Sequence, residues 1–153
     1  MKRLMLFFSF VITLSACNTG KTIDGNSEEV KKLVVELATN EMRNQAVPLL
    51  IQRLYSTHAS VWGYPTYSQL KNDTENERAQ HLVDVLDERI ESLCIQVTNI
   101  RTIEIKKEYN MVTCEALIKS IDSDLYNITY SAQLTDDKKN FVVKILKMTP
   151  IMN

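Results

Sequence analysis

Two histidines and several paired carboxylates are the side chains that could support metal or acid–base chemistry. His81 and Asp84 are three residues apart in a predicted helix, a spacing that can place two ligands on one face. A metalloenzyme needs three or four convergent ligands, and His58 is the one other histidine in the chain. Asp84 and Glu88 are spaced for one helix face, but spacing alone does not indicate the burial that acid–base catalysis needs. A solvated helix face explains these charges better, and we expect no bound metal.

The motifs of nucleophilic catalysis and of phosphate binding are absent from the sequence. There is no GxSxG segment, and the three glycines do not form a phosphate-binding loop. The formal net charge is −1 and no long basic run occurs, so the sequence lacks the electrostatic signature of a nucleic-acid-binding protein. We therefore expect a protein that is not an enzyme and has no cofactor.

A third kind of chemistry is indicated by Cys17 and the residues before it. Lys2 and Arg3 precede an apolar run from Leu4 to Leu14, and small residues follow it. This order is typical of a secretory signal, and the run is shorter than the 20 or so residues of a transmembrane helix. A plain secretory signal is the alternative, but it would not require a cysteine at the cleavage point.

The segment Leu14-Ser15-Ala16-Cys17 resembles the lipobox of bacterial lipoproteins. The resemblance implies cleavage after Ala16, a diacylglyceryl thioether on Cys17 and an acylated amino terminus. Asn18 differs from the aspartate that retains lipoproteins at the enterobacterial inner membrane, which implies an outer-membrane lipoprotein facing the periplasm. A Gram-positive surface lipoprotein is the alternative. We expect a signal peptide over 1–16, a lipid anchor and flexible tether over 17–26, and one domain over 27–149.

Cys94 and Cys114 are candidates for a disulfide, because thiols within reach are usually oxidised outside the cytoplasm. If both lie on the arms of one hairpin that turns near Tyr109-Asn110, they are far apart, but a bend near Asn99 could bring them together. The sequence leaves both alternatives open.

The apolar pattern changes from helical to strand periodicity near residue 95. Ser27 predicts a helix start, and Pro48 predicts an end or a kink of this helix before a second, shorter and more buried helix over Leu49–Tyr55. Asp73 or Thr74 predicts the start of a third helix that ends near Ser92. Four alternating segments then predict strands, with a bulge near Asn99 and a last strand that is central or covered by a helix. This order predicts an α+β fold, in which amino-terminal helices pack on a curved antiparallel sheet of about four strands.

The predicted layout is similar to cystatin-like and NTF2-like domains. Within the strands, Asn99-Ile100-Arg101-Thr102 and Cys114-Glu115-Ala116-Leu117, followed by Ile128-Thr129-Tyr130 and Thr135-Asp136-Asp137, look like a pattern in small, largely uncharacterised bacterial lipoproteins. The resemblance covers about the last third of the chain and implies a shared fold, but it does not imply any particular activity.

The best candidate for partner binding is the loop that carries Trp62, Tyr64 and Tyr67, since aromatic rings supply large contact areas. The alternative is that these rings close the open end of the core. A weaker candidate is the outer face of the third strand, with Thr129, Ser131 and Gln133. We therefore expect a cell-envelope binding module that is held on the membrane by its lipid and binds a protein or peptide. A small-ligand or catalytic pocket in an NTF2-like cone is the alternative, and it would need a buried ionisable group such as His58.

Overall fold

The computed structural model describes residues 23–55, 63–135 and 140–152, in which three α-helices precede a four-stranded sheet. The predicted α+β fold is confirmed, with a curved antiparallel sheet in the order β1-β2-β3-β4. The elements are α1 (Glu28–Tyr55), α2 (Tyr67–Asn72), α3 (Glu77–Ser92), β1 (Gln96–Lys106), β2 (Met111–Lys119), β3 (Asp124–Leu134) and β4 (Phe141–Pro150). Within these residues, no helix combines the length and the apolar character needed to span a bilayer.

Helix α1 begins as predicted and continues further than predicted. The hydroxyl of Ser27 accepts a hydrogen bond from the Val30 amide at 3.3 Å, which caps the first turn. Pro48 lies inside the helix, so the prediction of a separate second helix is wrong. Proline removes one helical hydrogen bond, but Val47 and Leu50 on either side of it are buried against the other helices. Their packing favours one continuous helix.

The segment after α1 contains a short helix that the sequence analysis assigned to a loop. Thr66 and Gln69 form a capping box, which starts α2 at Tyr67. The third predicted helix begins at Glu77 rather than near Asp73, because Asn76 accepts hydrogen bonds from the first amides of α3.

The sheet has the predicted bulge and the predicted buried face. The ladder between β1 and β2 shifts register after Thr98, and Asn99 has a φ of +53°. Strand β4 is an edge strand, so the prediction of a central position is wrong. The alternative prediction, that a helix covers it, holds for the face that carries Phe141 and Val143, which is buried in the core beneath α1.

Two apolar clusters share α1. The first, here called the sheet core, lies between the sheet and the first half of α1 and contains fully buried Tyr130 and Ile118. The second, the helical core, lies between the second half of α1, α2 and α3, and comprises Val47, Leu50, Tyr67, Leu70, Ala79, Leu82, Val83 and Leu86. We call this side of the molecule the helical end, and we call the side with the turn between β1 and β2 the hairpin end.

Candidate functional site

Tyr67, one of the three predicted binding aromatics, is buried in the helical core and is 7% exposed. Its hydroxyl donates to both carboxylate oxygens of Asp87 at 2.8 and 2.9 Å, and Arg43 Nε donates to the same carboxylate at 2.7 Å. The Tyr67 amide donates to the side chain of Asn44 at 2.8 Å. Tyr67 therefore joins α1, α2 and α3. This placement corrects its interpretation as an exposed binding residue and agrees with the alternative that the aromatics close the core.

The electrostatic surroundings of Tyr67 stabilise the neutral phenol. Burial and, next, the hydrogen bond to Asp87 raise the pKa of Tyr67 to about 12. The Arg43 guanidinium lies over its ring, 5.1 Å from the centroid, and the Lys71 ammonium lies 5.7 Å from it. Ring and hydroxyl are thus both engaged within the domain.

The other two aromatics of the predicted trio are Trp62 and Tyr64. Trp62 and the predicted candidate His58 lie outside the described residues. Tyr64 is half-buried, and its hydroxyl is buried without a hydrogen-bond partner. Gly63 precedes it with a φ of +82°, a conformation that favours glycine. Of the predicted trio, Tyr64 remains a candidate on geometric grounds.

Two exposed leucines near the end of α1 were missed by the sequence analysis, which counted them in a buried second helix. Leu49 is 69% exposed and Leu54 is 43% exposed. Because α1 is continuous and each residue turns the helix by about 100°, Leu49 lies about 200° around the helix from the buried Val47, on its opposite side. Continuing the helical periodicity of α1 past Pro48 would have predicted that Leu49 is exposed. The helical end therefore presents apolar side chains to solvent.

The inner side of the sheet is filled by apolar side chains and one tyrosine. Tyr130 is fully buried, and its hydroxyl donates to the backbone oxygen of Gly25 at 2.7 Å, while burial raises the pKa of Tyr130. Among the described residues, the buried polar side chains apart from tyrosine are hydroxyl groups, namely Thr113, Ser120 and Ser131. No carboxylate or imidazole is buried among the described residues, and His58, the group named for an NTF2-like cone, lies outside them. The described part of the chain also holds no group of three His, Cys, Asp or Glu residues arranged for a metal ion.

Cys94 and Cys114 are free thiols in the structure. Cys94 is exposed directly after α3, whereas Cys114 is buried on β2 opposite Thr102. Seven residues separate Cys94 from Thr102, and most of them are in β1, so the two positions are up to about 25 Å apart at the usual strand rise. A disulfide needs Cα atoms within about 7 Å, so the candidate disulfide is not formed in this fold.

Residues 23–26 were predicted to belong to a flexible tether, and they lie on the sheet instead. Ile23 packs against the sheet core, and Gly25 is buried over Cys114 and Val112. The Ser27 amide donates to the Asp24 backbone oxygen at 3.1 Å, which closes a turn into α1. The described chain thus begins against the inner face of β2, close to the hairpin end.

The outer face of β3, the weaker candidate site, is a polar sheet surface. Thr129 opposes Glu115 on β2, and Glu115 pairs with Arg101 of β1 at 2.5 Å. Ser131 is buried beside Thr113, whereas Gln133 is exposed. This face offers hydroxyl and amide groups, with the exposed Lys147 opposite Thr129 and the exposed Lys144 opposite Ser131 on β4.

The chain matches no family model, no curated protein and no solved structure. The resemblances to bacterial lipoproteins and to cystatin-like or NTF2-like domains therefore stay predictions from the sequence.

Proposed function

We propose that this protein is a lipid-anchored interaction module of the cell envelope. Its Cys17 carries the lipid, its domain binds a protein or peptide partner, and it performs no catalysis. The lipobox-like segment supports the anchor, and an outer-membrane position facing the periplasm follows from Asn18 by the sorting pattern described above.

The observation that carries this proposal is the distance between the amino-terminal end of the domain and its exposed apolar helix turns. Gly25 lies on the sheet immediately before α1, and α1 is 28 residues long, which corresponds to about 42 Å. A lipid on Cys17 would hold the domain near Gly25. The helical end would then project away from the membrane, where a partner can reach it.

The partner surface that we propose consists of Leu49, Leu54 and Tyr64. Leu49 and Leu54 are exposed and Tyr64 is half-buried at this end of the domain, and contiguous exposed apolar side chains are a feature of interaction surfaces. The adjoining Trp62 belongs to the same segment of sequence and is included in the proposal. Tyr67 is excluded, because its ring and hydroxyl are engaged by Arg43 and Asp87.

Site-specific photocrosslinking in cells tests this surface. A benzophenone amino acid placed at Leu49 or Leu54 should give a discrete crosslinked adduct that is absent without irradiation. Ile105 is the matched control, because its 58% exposure lies between those of the two leucines and it lies on β1 at the hairpin end. Protein adducts at Ile105 equal to those at Leu49, or no adduct at either leucine, would contradict the proposed surface.

A second measurement separates loss of binding from loss of folding. Replacement of Leu49 by serine should abolish the adduct formed from Leu54 while the thermal unfolding temperature stays unchanged, since the side chain is exposed. A lowered unfolding temperature that accounts for the lost adduct would assign Leu49 to the core.

A further inference from the structure

The β1–β2 hairpin carries a group of exposed apolar side chains that the proposed partner surface does not use. Ile103 is 47% exposed, Ile105 is 58% exposed and Tyr109 is 59% exposed. We call these three residues the hairpin patch. Ile103 and Ile105 lie on an edge strand, and Tyr109 lies in the 3₁₀ turn that closes the hairpin.

The hairpin patch is near the point where the described chain begins. Gly25 packs over Val112, and Val112 is the residue opposite Ile105 in the ladder between β1 and β2. Tyr109 precedes Val112 by three residues, so the turn lies within about 11 Å of Val112. The patch and the amino-terminal segment therefore share the hairpin end.

The length of chain before the fold limits how far this end can be from an anchor on Cys17. Five residues lie between Cys17 and Ile23, and the six Cα-to-Cα steps of a fully extended chain span about 20 Å. A lipid in the bilayer would hold Ile23 within that distance of the membrane surface. The short connection thus keeps the hairpin patch at high effective concentration next to the lipid.

The charges around the hairpin patch sum to zero, because Lys107 and Glu108 beside Tyr109 carry opposite charges and the charged residues of β1 are in ion pairs. Lys106 Nζ lies 3.4 Å from Glu104 Oε1, and Arg101 pairs with Glu115 on the neighbouring strand. Contact with lipid would therefore not depend on anionic headgroups. Tyrosine is favoured at the level of the headgroups, where its ring meets the acyl chains and its hydroxyl meets water.

We propose that the hairpin patch inserts into the interfacial layer of the bilayer, as a second and non-covalent membrane contact beside the lipid on Cys17. This rests on the proposed function, because the lipid places the patch there. The contact orients the domain, with its hairpin end on the membrane and its helical end outward.

Fluorescence quenching by lipids with brominated acyl chains tests this proposal on the full lipidated protein. In a Trp62→Phe background, Tyr109→Trp supplies a single reporter at the patch and Ile121→Trp supplies a matched reporter at the opposite end of the sheet. Both variants are extracted from membranes and reconstituted in neutral phosphatidylcholine vesicles. We expect the Tyr109→Trp reporter to lose most of its fluorescence and the Ile121→Trp reporter to lose almost none.

Each remaining outcome contradicts the proposal in a recognisable way. Equal quenching of both reporters, or quenching of neither, overturns the oriented contact. A blue shift of the Tyr109→Trp reporter that grows with protein density but not with brominated lipid would assign the patch to a second copy of the chain. Quenching that requires anionic lipid would contradict the charge argument.

Flotation with the vesicles and the mass of the chain distinguish failure of this proposal from failure of the proposed function. A lipidated chain that floats without quenching at Tyr109→Trp refutes the hairpin contact and leaves the anchored module intact. A chain without lipid on Cys17 refutes both, because the patch then has no reason to lie at the membrane.

Discussion

Gly25 lies close against the sheet, and its backbone oxygen is 2.7 Å from the Tyr130 hydroxyl. A Cβ at this position would overlap Cys114 Sγ and would lie 3.2 Å from Val112 Cγ2. We expect Gly25→Ala to lower the free energy of unfolding by about 1 to 3 kcal/mol, because a buried side chain must move to make room. Urea denaturation of the variant and the parent protein measures the change.

Removal of the overlapping atom provides the control for this prediction. Cys114→Ala deletes Sγ and should itself lower the free energy of unfolding by about 1 kcal/mol. In the double variant the two losses should sum to less than their separate values by about 1 kcal/mol, as neighbouring sites in contact do. Strict additivity would show that Gly25 does not meet Cys114 in solution.

Tyr67 predicts a dependence of stability on alkaline pH. Its pKa is 10.0 in the unfolded chain and about 12 in the fold, so the folded state holds the proton more tightly. This contribution to stability is complete below pH 10 and is lost as the pH rises through about 12. Tyr67→Phe removes the hydrogen bonds to the Asp87 carboxylate and should lower the free energy of unfolding by about 2 kcal/mol at neutral pH.

The difference between the parent protein and Tyr67→Phe should therefore shrink between pH 10 and about 12. Urea denaturation of both proteins across this range measures it. Tyr130 also has a raised pKa, but it is present in both proteins and cancels in the comparison. A difference that stays constant to the top of the range would contradict the buried phenol–carboxylate contact.

Among the elements, the end of α3 offers a test of the cysteine assignment. Cys94 follows the helix with a φ of +47°, and its amide donates to the Glu91 oxygen at 3.1 Å. Glycine is the favoured residue at such a helix end. We expect Cys94→Gly to raise the free energy of unfolding by about 1 kcal/mol under oxidising conditions, as measured by urea denaturation.

Cys94→Ser is the matched control, since it keeps the strained backbone and removes the thiol. If Cys94 and Cys114 are free thiols, Cys94→Ser should change the free energy of unfolding by less than about 0.5 kcal/mol. A disulfide between Cys94 and Cys114 would close a loop of about 20 residues, and both variants would then lose roughly 3 kcal/mol. Such a loss would refute the free thiols.

The elements that could be predicted from the sequence are those in which one local signal decides the structure. Ser27 caps α1, the alternation around Ile128 places β3, and the phase slip at Asn99 becomes the bulge. In each of these, neighbouring residues supply the capping group or the periodicity.

The elements that could not be predicted depend on distant partners. Pro48 alone indicates a helix end, because the packing of Val47 and Leu50 against α2 and α3 depends on residues that are distant in the sequence. Tyr67 was predicted to be an exposed loop aromatic, because the carboxylate that accepts its hydrogen bond belongs to Asp87, 20 residues later in the sequence. The segment around Gly25 was predicted to be a tether, because its contact partner Tyr130 is 105 residues away in the sequence.

On the scale of the whole molecule, the two halves of α1 belong to different parts of the domain. Its first half covers the sheet beside Gly25, and its second half carries the helical core and the exposed leucines. A lipid on Cys17 and an interaction surface at Leu49 would lie at opposite ends of this helix. In such a module, the membrane anchor and the partner-binding surface would be separated by roughly the length of α1.

The most direct test of the central claim is the intact mass of the full-length protein extracted from cell membranes. The proposal predicts a chain that starts at Cys17 and carries a diacylglyceryl group and a further acyl chain, and it predicts that Cys17→Ser abolishes both the lipid mass and membrane retention. A membrane-bound chain that still begins at Met1, or a chain cut elsewhere and free of lipid, would contradict it.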